Sequence, residues 1–101
     1  MSELTQYQKI ITVMANGNMY NWYFPYDFMQ NGLGHLFVGY EASARSSELA
    51  KENPKMIESM RDGKYFKRRI NWLTYKEWID EIPTDLQTII KEAVRKRNGD
   101  I

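Results

Sequence analysis

The stretch "KMIESMRDGKYFKRRINW", residues 55–72, decides how the rest of the chain is read. Two β-prone runs flank Asp62-Gly63. An Asp-Gly pair in that setting is the strongest short hairpin signal, because a tight type I′ turn needs positive φ at both central residues. With the turn on those two residues, Met60 faces Tyr65, Ser59 faces Phe66, Glu58 faces Lys67 and Ile57 faces Arg68. Ile57, Phe66 and Ile70 then share a face suited to packing on the body. Met60, Tyr65, Lys67 and Arg69 point the other way, with Glu58–Lys67 as a cross-strand ion pair.

The same stretch concentrates charge. Arg61, Lys64, Lys67, Arg68 and Arg69 crowd around the turn, with Asp62 the one acid among them, although the chain as a whole carries 14 Lys+Arg against 13 Asp+Glu. Residues 1–53 are mildly acidic, with Lys9, Arg45 and Lys51 set against Glu3, Asp27, Glu41, Glu48 and Glu52. A polyanion would therefore be met by one edge of the molecule. The plainer alternative is a charged edge that blocks strand-to-strand aggregation.

Upstream, Thr5-Gln6-Tyr7-Gln8 fits a capping box, and Ile10, Ile11 and Met14 follow at helical spacing. Asn16-Gly17 offers a stop, with Gly in the left-handed conformation. The aromatic run Tyr20, Trp22, Tyr23, Phe24, Tyr26 and Phe28 reads as core filling or as a binding platform. Pro25 suits the first turn of a short helix to about Gln30, and Leu36–Val38 is compatible with a short strand. Residues 40–52 read as a helix closed by Pro54. Its apolar face is thin, formed by Ala42, Leu49 and Ala50 with Ser46 in line.

Downstream, Thr74-x-x-Glu77 opens a short helix through about Glu81, and Thr84-x-x-Gln87 opens a longer one. Leu86, Ile89, Ile90, Ala93 and Val94 form an apolar stripe on helix 84–97. That stripe serves either the core or a homodimer. Trp72 and Trp78 lock these segments onto the body.

A chain of 101 residues with 43% apolar content is one globular domain. There is no cysteine, so disulfides and thiolate sites are excluded and an intracellular setting is favoured. "MSELTQYQK" has no basic region followed by an apolar run, no stretch is long enough to span a bilayer, and a cytoplasmic protein is expected. His35 is the only histidine and reads as a surface residue, so no metal is expected. No nucleophile–base pair, glycine-rich phosphate loop or HExxH is present, and neither an enzyme activity nor a cofactor is expected.

Residues 39–70 resemble the winged helix-turn-helix family of small phage and bacterial regulators. The matching residues are Arg45, Ser47, Glu48, Leu49, Ile57, Glu58, Ser59 and the wing tip Asp62-Gly63. The resemblance implies an α+β, mainly α fold: a three-helix unit over residues 1–72, a two-stranded wing at 56–70, and a C-terminal helical extension at 73–101 packed on it or dimerising. It implies binding of double-stranded DNA in transcription regulation, with helix 40–52 in the major groove. Ser43, Arg45, Ser47 and Lys51 would contact bases or phosphates. Arg61, Lys64, Tyr65, Lys67 and Arg69 would position the wing. Against base contact, Glu48 can hold Arg45 in an i,i+3 pair. The acidic Glu41, Glu48 and Glu52 favour a second reading, a winged-helix adaptor or phage-type inhibitor that binds a host protein.

Overall fold

Pairing preferences, caps and breakers resolve into six regular elements in a computed structural model that describes residues 3–18 and 21–98. They are α1 (Gln6–Asn16), α2 (Ala42–Glu52), β1 (Ile57–Asp62), β2 (Tyr65–Ile70), α3 (Tyr75–Trp78) and α4 (Thr84–Arg97). Short 3-10 turns fill Pro25–Phe28, Asn31–Leu36, Gly39–Glu41 and Trp72–Thr74. The fold is α+β, mainly helical, with a two-stranded antiparallel sheet.

The capping box of α1 is formed. Thr5 Oγ1 accepts from the Gln8 backbone N–H at 3.1 Å, and Gln8 Oε1 accepts from the Thr5 N–H at 2.8 Å, an arrangement worth about 1 kcal/mol. Gly17 ends the helix, but not in the left-handed conformation. Its φ of −86° and ψ of −168° are extended. The glycine is required for space, since a Cβ there would overlap the Tyr23 hydroxyl.

Residues 25–38 depart furthest from expectation. The helix expected from Pro25 to Gln30 is a single 3-10 turn, Pro25–Phe28, held by Asp27 Oδ2, which accepts from the Phe24 N–H at 2.7 Å. Asn31-Gly32 and Gly34 are poor helix formers, so the chain makes another short 3-10 turn instead of extending. No strand forms at Leu36–Val38; the Val38 N–H donates to the Phe28 carbonyl at 2.8 Å. Two α-helices therefore precede the hairpin, where three were expected.

The C-terminal boxes are not formed either. Thr74 runs straight from a 3-10 turn into α3, so its backbone is not extended and its hydroxyl donates to the Asn71 carbonyl at 3.4 Å. The helix stops at Trp78 rather than Glu81. Pro83, not Thr84, is the N-cap of α4, and Gln87 Nε2 turns to the Ile82 carbonyl at 2.9 Å.

The core is shared by every element. Ile10, Ile11, Met14 and Ala15 of α1 meet Leu86, Ile90 and Ala93 of α4 on one side and Ala42 and Leu49 of α2 on the other. Each fully buried aliphatic contributes about 1.5–3 kcal/mol relative to exposure. The stripe of α4 is thus covered inside the chain. Trp78 is buried, and its Nε1 donates to the Asn71 carbonyl at 2.9 Å. Phe28 fills the core from the aromatic run, whereas Tyr26 is exposed; Tyr20 lies outside the described residues. Among the described residues no helix is long and apolar enough to cross a membrane.

Candidate nucleic-acid interface

The hairpin turns on Gly63-Lys64, not on Asp62-Gly63. Asp62 pairs with Tyr65, Arg61 with Phe66, Met60 with Lys67, Ser59 with Arg68, Glu58 with Arg69 and Ile57 with Ile70. Gly63 has φ +65°, and no other residue type among those described has positive φ. A type I′ turn would have forced Asp62 into that region. Placing glycine at the first central position leaves one positive φ, as type II′ requires.

A slip of one pairing position would turn every side chain to the other face. This register differs by two, so the faces survive while the partners change. Ile57, Ser59 and Arg61 share a face with Phe66, Arg68 and Ile70. Glu58, Met60 and Asp62 share the other with Tyr65, Lys67 and Arg69.

The second face is neutralised from within. Glu58 Oε2 accepts from Arg69 Nε at 2.8 Å, so the ion pair joins Glu58 to Arg69 rather than Lys67. Lys67 Nζ lies 3.5 Å from Asp62 Oδ2. Trp22 sits beneath both cations, with its ring centre 4.1 Å from Arg69 Cζ and 5.2 Å from Lys67 Nζ. The aromatic run reaches this position because Tyr23 forms a bridge to Arg68, exchanging backbone hydrogen bonds of 2.8 Å in both directions. Alternation along that segment then sends Tyr23 to the core side and Trp22 to the side of Lys67 and Arg69.

The first face has no acid. Its base is buried through Ile57 and Ile70. Further out, Arg61 and Arg68 stand over Phe66, with Cζ 5.9 and 5.4 Å from the ring centre. Arg61 Nε donates to the Gly63 carbonyl at 3.2 Å. Arg68 Nε is buried without a hydrogen-bond partner, and desolvation lowers its pKa from the ordinary value. Among the described residues no carboxylate lies within ion-pair distance of Arg61, Lys64 or Arg68.

The residues expected on helix 40–52 are divided. At about 100° per residue, Ser43, Ser47 and Lys51 lie along one flank of α2. Arg45 lies on the opposite flank, with Glu41, Glu48 and Glu52. Arg45 Nη1 donates to Glu48 Oε1 at 2.8 Å. The Tyr7 hydroxyl bonds Glu52 Oε2 at 2.9 Å and Glu48 Oε1 at 3.4 Å. Arg45 is therefore built into the α1–α2 contact, while Ser43 and Lys51 are exposed and Ser47 is half-buried.

Of the expected wing residues, Lys67 and Arg69 come together over Trp22, Tyr65 lies beside them, exposed, and Arg61 and Lys64 stand apart. Arg68, Phe66 and Trp22 are the additions. The first two were legible in the alternation of β2 once the facing was fixed. Trp22 had no local signal, because its position depends on a pairing between segments distant in sequence. No family model, curated protein or solved structure matches the chain.

Proposed function

We propose that this chain binds double-stranded DNA through the hairpin, as a small winged-helix regulator of the phage or mobile-element type. The observation that carries the reading is the division of charge. One hairpin face neutralises its own cations. The other carries exposed Arg61 and half-buried Arg68 with no acid on its two strands, beside Lys64 at the turn. A polyanion gains most from cations that have no partner to give up. The extended segment at Tyr23, bridged to β2, supports the winged-helix reading although a 3-10 turn replaces its middle helix, and Ser43, Ser47 and Lys51 are the α2 residues available alongside it.

The test is binding to a mixed duplex pool across a salt series. Each phosphate contact adds about 0.9 to the log–log salt slope. The variant Arg61→Ala/Lys64→Ala/Arg68→Ala is expected to lose about 2.7 of that slope. Glu58→Gln/Arg69→Gln, which removes an ion pair as a unit, is expected to keep it. A folded wild type that fails to bind at low salt refutes the reading. It would favour a protein partner instead, for which the acidic α2 flank of Glu41, Glu48 and Glu52 is the supporting observation.

A further inference from the structure

Phe66 lies outside the core of the fold. It is 45% exposed, far out on a hairpin whose buried base is made by Ile57 and Ile70. Its immediate neighbours on that face are the arginines. Single exposed apolar side chains are common; what sets Phe66 apart is that two guanidinium groups stand over its ring on a face with no acid. The cation–π contacts at 5.4 and 5.9 Å are exposed and weak enough to exchange for other partners.

Proteins that bind the minor groove combine arginines with an apolar wedge. The wedge enters between base pairs, partly unstacks them and kinks the duplex. A two-stranded ribbon that carries a phenyl ring between two guanidinium groups, with no acid on that face, has both parts. We propose that Phe66 is a base-stacking wedge, entering the duplex at a flexible pyrimidine–purine step while Arg61 and Arg68 turn from its ring to the flanking backbone and groove. This rests on the DNA-binding reading and adds to it a ligand class: duplexes that kink easily, containing TA or CA/TG steps, over stiff A-tracts.

The experiment uses the full chain and short duplexes with one 2-aminopurine at a central TA step. Fluorescence reports unstacking, and a titration on the same samples reports binding. The wild type is expected to raise the fluorescence. Phe66→Ala is expected to abolish the rise and to weaken binding by roughly ten-fold or more, with the salt slope kept because the charges remain. Phe66→Leu, which still offers an apolar wedge but no π face, is expected to keep part of the rise. It also serves as the test if the alanine variant is not folded by circular dichroism. Wild-type binding with no change in fluorescence overturns the wedge and leaves the DNA-binding reading standing. A rise that survives in Phe66→Ala does the same. No binding of any duplex overturns both.

Discussion

Replacing Gly17 by alanine tests how the interface is braced. The φ and ψ of Gly17 are open to any residue, so alanine meets no backbone strain. Reducing the freedom of the unfolded chain would even favour it by about 0.4–1 kcal/mol. The obstacle is the Tyr23 hydroxyl, which a Cβ would overlap, with Tyr23 Cζ at 3.1 Å and the Val13 carbonyl oxygen at 3.4 Å next in line. Overpacking of this kind costs about 1–3 kcal/mol. The net loss expected is about 1–2 kcal/mol, a fall in Tm of roughly 5–15 °C for a domain of this size. Tyr23→Phe removes the overlapping atom and keeps the ring. In the double variant the overlap is gone, and only the 3.1 Å contact with Cζ is left for the ring to ease by a few tenths of an ångström. Its Tm is expected close to that of Tyr23→Phe alone, giving a coupling of about 1 kcal/mol in a double-mutant cycle followed by thermal melting. A double variant that falls by the sum of the two single losses would refute the reasoning. So would Gly17→Ala melting with the wild type.

Two other predictions concern the framework. Burial, followed by the hydrogen bond and charge of Glu52 and the charge of Glu48, pushes the Tyr7 pKa up to about 12. The folded chain thus holds this proton more tightly than the unfolded one, whose value is about 10. The contribution is complete below about pH 10 and is lost as pH rises through about 12, so urea unfolding of Tyr7→Phe should show a shallower fall in stability over that window. Arg97 Nη2 donates to the carbonyls of Ala15 and Gly17 at 2.8 and 2.9 Å, capping the end of α1 from the end of α4, and its Cζ stands 4.9 Å from the Trp72 ring centre. Arg97→Met keeps the aliphatic stem and loses the cap. The expected loss is about 1.5–3 kcal/mol, and a melt unchanged from the wild type would show that water satisfies those carbonyls as well.

The sequence was most legible where the determinants are local. Thr5 and Gln8 cap each other within one turn, and Ile10, Ile11 and Met14 mark the buried face of α1 by spacing alone. Ser46 was correctly placed in the thin apolar line of α2. It can be buried because its hydroxyl donates to the Ser43 carbonyl at 3.2 Å. The boxes at Thr74 and Thr84 satisfied the same pattern and failed, because the backbone before each was already committed, to a 3-10 turn in one case and to Pro83 in the other. Local hydrogen-bonding patterns state what a residue is able to do. The preceding dihedral angles decide whether it does so.

The hairpin marks the other limit. Arg68 and Arg69 are adjacent and alike in a sequence count, yet parity places them on opposite faces. Arg69 meets Glu58 and Trp22; Arg68 meets Phe66 and, among the described residues, no carboxylate. The difference depends first on where the turn falls. The turn that forms needs positive φ at Gly63 alone, whereas a turn on Asp62-Gly63 needs it at Asp62 as well. The difference depends second on the Tyr23–Arg68 bridge, which carries Trp22 to one face only. Neither is a property of the basic stretch itself. A run of cations in a strand should therefore be read as two interleaved sets, each weighed against the acids of its own face, before any of it is assigned to a polyanion. Here that weighing drops Lys67 and Arg69 from the expected contact, keeps Arg61 and Lys64, and adds Arg68.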